Sequence, residues 1–174
     1  MRWGWQFDPA TVLSQMREVG LAATEFGPDG FLPDEPQAKA KTLADKGLRA
    51  VGGFVPVMLH DAEHNPVPEI EREIKGFTAA GAGTLVLAAA TGTDGYDERP
   101  VLDDAGWQTL LTNLDRLATR SAITATLHPH IGTMVETTDD VERVLAGSAI
   151  GLCLDTGHLL IGRRGPHGPG GRAS

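Results

Sequence analysis

Histidine and carboxylate side chains lie close together in the second half of the chain, at spacings that could bind a metal ion. His128 and His130 alternate with apolar residues along a strand-like segment over 123–130. Asp155 ends the next strand-like segment, and His158 follows three residues later. Neutral imidazole and carboxylate together suit Mn²⁺, Co²⁺, Fe²⁺ or Zn²⁺ better than Ca²⁺. The pattern therefore predicts a divalent-metal site, with Mn²⁺ or Co²⁺ as first choice and Zn²⁺ or Fe²⁺ as alternatives.

Such a site could act on a sugar or another polyol. A metal ion bound to adjacent oxygens of a keto-sugar would acidify the neighbouring C–H and stabilise an enediolate. A carboxylate or an imidazole would then move the proton, so isomerisation, epimerisation and dehydration can share one scaffold. Glu25 is a further carboxylate of this kind, because it lies near the end of an otherwise apolar segment over 22–26.

Helix-like and strand-like segments alternate along the chain and must position these side chains. Apolar residues at helical spacing predict helices over 8–20, 36–46, 68–77, 103–120 and 138–146. Strand-like segments lie over 22–26, 48–55, 84–90, 123–130 and 150–155. Strict alternation predicts right-handed βαβ units and a parallel sheet, and chemistry collects at the carboxyl ends of such strands. We therefore expect the histidines and Asp155 to meet at one rim.

The spacing of the strands is that of a (β/α)₈ barrel. A doubly wound open sheet would give the same alternation, but no dinucleotide-binding or Walker-type glycine loop follows any strand. The expected fold class is α/β, an incomplete barrel of about five to six strands over residues 1–161. Residues 162–174 are rich in glycine, proline and arginine, which predicts a disordered C-terminal tail.

Composition narrows the range of partners. The net charge is −8 and no basic cluster occurs before the C-terminal end, which argues against a nucleic-acid partner. The chain contains no apolar run of about 18 residues, so we expect no membrane span. The N-terminal residues lack the pattern of a signal peptide, and Cys153 is the single cysteine. Both features predict a cytoplasmic location, and a small molecule is the expected partner.

Four segments carry a resemblance to a known family. His128–Thr133 (HPHIGT) and Asp155–His158 (DTGH) resemble the fifth and sixth strands of the inosose-dehydratase branch of the xylose-isomerase-like barrels. Thr24–Pro28 is similar to the end of the second strand of that family, and Val51–Phe54 to its third strand. The resemblance covers roughly residues 3–161. It implies a metal-dependent sugar isomerase or epimerase, or an inosose dehydratase, that acts on a keto-sugar or a keto-inositol.

The resemblance also implies roles for individual residues. It makes Asp155 a metal ligand and His158 a residue that contacts substrate. His128 occupies the place of a fifth-strand ligand, which is a glutamate in most of the wider family. Glu25 corresponds to a glutamate that lines the pocket. The predicted metal ligands are therefore Asp155 and His128, and the predicted catalytic residues are His130, His158 and Glu25.

Some family segments do not occur in this sequence. The family has a strand before the first helix, a seventh strand with a His-x-Lys-Asp segment and an eighth strand that ends in glutamate. The last two supply further metal ligands. We therefore expect a barrel truncated at both ends and inactive by itself, with open edges through which it could form a homo-oligomer.

Two other functions are compatible with the sequence. The chain could be a non-catalytic remnant or a subunit whose open edges pair with another chain. An endonuclease-IV-like hydrolase is the second alternative, but it needs a trinuclear zinc site and a basic DNA-binding face, which the acidic charge disfavours. For His60 and His64 a structural role in a polar loop is the favoured interpretation.

Overall fold

A computed structural model describes residues 7–28, 30–92 and 99–162. Within these ranges the helices are α1 Pro9–Glu18, α2 Pro36–Asp45, α3 Val67–Ala79, α4 Asp104–Arg120, α5 Thr138–Gly147 and α6 Thr156–Gly162. The strands are β1 Ala23–Thr24, β2 Arg49–Ala50, β3 Gly52–Met58, β4 Thr84–Ala90, β5 Thr124–Leu127 and β6 Gly151–Leu152. The predicted α/β alternation is confirmed. The tail prediction for 162–174 falls outside the described residues except at Gly162, which ends α6.

The strands form two sheets among the described residues and do not close a barrel. β1 pairs with β2 in parallel, and the second sheet has the order β3-β4-β5-β6. β5 and β6 pair in parallel, with Leu127 opposite Leu152. The strand predicted over 48–55 is divided at Val51 into β2 and β3. The N–H of Val51 donates to the carbonyl of Thr24, and its own carbonyl accepts from the N–H of Thr84. This residue therefore changes its pairing from one sheet to the other.

The chain divides into two compact units, each with its own core. The first comprises residues up to 54, 71–85 and 122–124, and the second comprises 55–70, 86–121 and residues from 125 onward. In the first unit the Phe26 and Phe77 rings are 5.2 Å apart, next to buried leucines of α1 and α2. In the second, Leu110 and Leu114 of α4 are fully buried. β4 is buried from Leu85 to Ala90, as predicted for a strand covered on both faces.

Side chains cap the N-termini of two helices. Asp8 accepts a hydrogen bond from the backbone N–H of Thr11, and Pro9 opens α1. Thr137 forms a reciprocal capping box with Asp140 at the start of α5. None of the described helices is long and apolar enough to cross a membrane.

Gly52 and Gly53 let β3 approach its neighbours closely. A Cβ atom on Gly52 would collide with the carbonyl oxygen of Thr84, and one on Gly53 would lie 2.6 Å from Cζ of Phe77. The first contact is with backbone, which cannot move without breaking the pairing of the strands.

We therefore expect Gly52→Ala to destabilise the chain by about 1–3 kcal/mol, the usual cost of overpacking. Gly83→Ala is the matched control, because a Cβ atom there would meet nothing within 4 Å. Urea denaturation of both variants checks the prediction. Equal stability of the two would show that the close approach of β3 and β4 is not required.

Candidate metal centre

His128 and His130 lie in a tight turn that follows β5. The His128 N–H donates to the carbonyl of Leu87 on β4, at 2.8 Å, so the histidine directly continues the strand. The turn is closed by the buried Thr133, whose hydroxyl donates to the His130 carbonyl at 2.7 Å. Gly132 has a φ of 78°, a conformation that favours glycine. The HPHIGT segment is therefore a compact turn that presents two imidazoles.

Asp155 and His158 lie at the start of α6. His158 is in the first turn of this short helix. Asp155 Oδ1 accepts hydrogen bonds from the backbone N–H groups of Gly157 (2.7 Å) and His158 (3.0 Å). Asp155 Oδ2 lies 3.9 Å from His158 Nε2. The carboxylate therefore caps the helix with one oxygen and lies near the imidazole with the other.

Three imidazoles converge at this point. His128, His130 and His158 each offer a ring nitrogen, and these three atoms lie within 4.8 Å of one another. The rings of His130 and His158 are 4.0 Å apart between centroids, and His128 lies 5.4 Å from His158. Four of the five predicted site residues are thus brought together in the second unit.

Hydrogen bonds from the imidazoles favour specific tautomers. His128 Nδ1 lies 3.3 Å from the carbonyl oxygen of Cys153, and His130 Nδ1 lies 2.6 Å from that of Ile131. A carbonyl only accepts, so Nδ1 carries the proton in both rings and Nε2 carries the lone pair. Backbone carbonyls commonly orient metal-binding histidines in this way.

His158 differs from the other two histidines. Its Nδ1 atom is buried and has no hydrogen-bond partner among the described residues. Burying a polar nitrogen without a partner costs free energy, on the order of 1–3 kcal/mol. A ligand at this nitrogen would offset that cost.

Electrostatics keep His130 and Asp155 in the forms that bind cations. Burial lowers the pKa of His130, and the neighbouring His158 lowers it further, although the Ile131 carbonyl, Asp155 and Glu136 oppose the shift. The imidazole is therefore neutral near pH 7. The backbone N–H groups of His158 and Gly157 lower the pKa of Asp155, together with nearby imidazole charge. That carboxylate is ionised at neutral pH.

The donor set fits a transition-metal ion or zinc. Imidazole nitrogen suits Zn²⁺, Fe²⁺ and similar ions, with metal–nitrogen distances of about 2.0–2.1 Å. The nitrogens of a tetrahedral site would be closer together than 4.8 Å. Binding would therefore draw the three rings together by about 1 Å, a small side-chain adjustment.

A network that the sequence did not reveal supports the turn. Arg99 Nη2 donates to Asp140 Oδ2 at 2.7 Å and to the carbonyl of Met134 at 3.2 Å. Asp140 Oδ2 also accepts from the backbone N–H groups of Glu136 (3.1 Å) and Thr137 (2.8 Å). The position of Asp140 in the first turn of α5 would by itself indicate only a charge that complements the helix dipole. The sequence does not indicate the contact with Arg99, because the two residues are 41 positions apart.

Other predicted features have simpler outcomes. Glu25 is exposed and belongs to the first unit, so its place in the pocket stays a prediction. The last strand ends earlier than predicted, at Leu152, and Leu154 beyond it is 69% exposed. Cys153 forms no disulfide bond within the described residues, as expected for a lone cysteine.

Comparison with known proteins gives a consistent result. No family model matches the chain. The inosose dehydratase of Bacillus velezensis is 30% identical over 163 residues, which are 86% of this chain and 54% of that protein. The zinc-bound IOLI protein has a TM-score of 0.66 over 88% of this chain and 59% of its own, at 13% identity. The chain is similar in sequence to inosose dehydratases and shares its fold with xylose isomerase-like TIM barrels.

A second solved structure shares the fold. A xylose isomerase-like TIM barrel protein from Mycobacterium smegmatis, in complex with magnesium, has a TM-score of 0.59 at 22% identity. It is matched over 86% of this chain and 56% of its own. These similarities confirm the predicted incomplete TIM barrel. The chain spans about half the length of the curated relatives it matches, 54% and 55% for two inosose dehydratases.

Proposed function

We propose that this chain carries the metal-binding part of an enzyme that isomerises, epimerises or dehydrates a keto-sugar or keto-inositol. One observation carries the proposal: three imidazole nitrogens lie within 4.8 Å of one another beside an ionised carboxylate. The names of the curated relatives support inosose dehydration among the three reactions.

His128, His130 and His158 would hold the ion, with Asp155 beside them. The sequence predicted His128 and Asp155 as the ligands. The distances support a larger role for the other two histidines than contact with substrate alone. When bound, a divalent cation would polarise the substrate carbonyl and acidify the adjacent C–H. Three imidazoles favour Zn²⁺, Fe²⁺ or Co²⁺ over Mn²⁺, the joint first choice from sequence.

The three imidazoles would bind the ion through their ring nitrogens, so another group would move the proton. The lowered pKa of His130 keeps its imidazole neutral near pH 7 and able to bind a metal. The Asp155 carboxylate would hold the start of α6, and with it His158, by accepting the backbone N–H of His158 at Oδ1. Glu25 stays a candidate proton carrier.

Binding of substrate tests this function directly. We expect the metal-loaded chain to bind an inosose in calorimetry, and to lose that binding when a chelator removes the metal or when His130 is replaced by glutamine. Asp139→Asn is the control, because this exposed residue is not part of the site. An inosose affinity independent of metal would contradict the proposal.

Turnover is expected only with the additional residues that the relatives have. In a longer polypeptide containing this sequence, deuterium from solvent should enter the carbon next to the carbonyl. His130→Gln should slow that exchange strongly, because loss of a ligand would remove the metal that acidifies the C–H. For the 174-residue chain alone we expect metal binding without net reaction. The cytoplasmic location, the homo-oligomer through open edges and the domain limit at 161 remain proposals of the same kind.

A further inference from the structure

A second polar site lies in the loop between β3 and α3. His64 Nε2 is 3.1 Å from Glu69 Oε1, and both side chains line a cavity of about 110 Å³. The remaining walls are Pro56, Val57, Met58, Ala90 and Gly92. His64 and Glu69 are therefore the ionisable side chains of the described lining.

The cavity is at the end of the sheet where barrel chemistry takes place. Met58 is the last residue of β3 and Ala90 the last residue of β4. The carboxyl ends of parallel strands carry the active sites of TIM barrels. The cavity is therefore not on the helix layer, where a purely structural ion pair would be expected.

The same end of β4 also contacts the candidate metal centre. His128 donates its N–H to Leu87, and Met134 donates to Ala89 at 2.8 Å. The cavity wall begins one residue later, at Ala90. Neighbouring strands are about 4.8 Å apart, so the cavity wall at Ala90 lies about one strand spacing from the turn residue Met134, which pairs with Ala89. A single polyol ring with its hydroxyl groups can span this distance.

The histidine–glutamate pair has the chemistry to bind a hydroxyl group. With Nε2 protonated and donating to Glu69, His64 carries a lone pair on Nδ1 that accepts a hydrogen bond. The second oxygen of Glu69 is another acceptor. His64 is 25% exposed and Glu69 43% exposed by side chain, so both are accessible. Vicinal hydroxyls of a polyol supply the matching donors.

Local contacts hold the loop in place without using these two side chains. The Asp61 carboxylate accepts from the N–H of Glu63 at 2.8 Å, and Asn65 Oδ1 accepts from the N–H of Val67. Arg116 Nη1 donates to Asn113, which in turn donates to the carbonyl of Leu59. The loop therefore has its own supports.

We propose that His64 and Glu69 form a hydroxyl-binding subsite, which binds the part of a keto-inositol or keto-sugar remote from its carbonyl. This inference rests on the proposed function, because it assigns the far end of the same substrate. It gives the loop histidine His64 a part in specificity, contrary to the structural role favoured from the sequence.

Nuclear magnetic resonance on the zinc-loaded chain, labelled with ¹⁵N in its histidines, tests the subsite. On titration with an inosose, we expect saturable shifts of the His64 ring nitrogens alongside those of the metal-centre histidines. Glu69→Gln should weaken inosose binding about tenfold, the effect of losing a hydrogen bond to a charged acceptor. Zinc affinity should be unchanged. Glu63→Gln, on the same loop but outside this cavity, should bind inosose like the parent chain.

The outcomes separate this proposal from the proposed function. Shifts at the metal-centre histidines without shifts at His64, or full inosose affinity in Glu69→Gln, would overturn the subsite alone. No shift at any histidine would overturn the proposed function and the subsite together. A pair that only stabilises the loop would lower the melting temperature of Glu69→Gln without changing its inosose affinity. If that variant fails to fold, His64→Gln answers the same question.

Discussion

Zinc or cobalt ions should raise the melting temperature of the purified chain, and replacement of His158 by alanine should remove most of that rise. At a metal concentration of 100 times the dissociation constant, a ligand that binds only the folded state stabilises it by about 2.7 kcal/mol. For a domain of this size that corresponds to roughly 5–10 °C. His158→Ala removes one of three converging nitrogens, so the rise should fall to roughly 0–2 °C.

His158→Ala is also informative without metal. The imidazole buries an Nδ1 atom with no hydrogen-bond partner among the described residues. Its removal therefore relieves part of an unfavourable burial, and the metal-free melting temperature should change little. A site maintained for packing would instead lose stability in the absence of metal.

His60→Ala is the matched control for this experiment. His60 follows β3 outside the three-histidine group, so its replacement should leave the metal-dependent rise intact. The measurement is a thermal melt followed by circular dichroism across a metal titration. A rise that persists in His158→Ala would assign the metal to other ligands and would contradict the site.

The order of elements could be read from the sequence because each has a local signal. Asp8 and Pro9 mark the start of α1, and the apolar run over 84–90 marks a strand buried on both faces. Local hydrogen-bonding groups and apolar periodicity set these elements. The boundaries of β5 and β6 were less accurate. Both strands end earlier because the turn after Leu127 and the capping of α6 by Asp155 compete with strand pairing.

The sequence predicted which residues form the candidate site, but it predicted their arrangement only in part. Alternation along the strand placed His128 and His130 at one end, and the Asp155–His158 spacing added the other two groups. The sequence did not predict the short helix α6, because no helical pattern is visible between Asp155 and its apolar residues over 159–161. The contribution of Arg99 could not be predicted, because it depends on a tertiary contact to Asp140.

Asp140→Ala should be the most destabilising single substitution near the site. Asp140 is 8% exposed, and its Oδ2 accepts from the Arg99 guanidinium and from two backbone N–H groups. Alanine would leave the cation unpaired and would remove the capping box of α5. Breaking a buried charge pair costs about 3–5 kcal/mol, and the partial exposure of Arg99 reduces the expected loss to about 2–4 kcal/mol.

The same substitution should weaken metal binding, because the network supports the turn that carries His130. Arg99 also donates to the carbonyl of Met134, and the N–H of Met134 donates to the carbonyl of Ala89 on β4. Losing the carboxylate frees both Arg99 and the backbone at Glu136, so the His130 ring is no longer held near His158. Metal affinity should fall by about 10–100-fold, as for other residues that orient ligands.

Asp139→Ala separates this network from simple helix-dipole effects. Asp139 is the neighbouring acid in the first turn of α5 and is exposed, so its loss should cost at most about 0.5–1 kcal/mol. Urea denaturation and zinc titration of the two alanine variants provide the comparison. Equal losses would mean that both aspartates act only through the dipole of α5. A large loss of stability at Asp140 with unchanged zinc affinity would mean that the metal centre is formed without the Arg99 network.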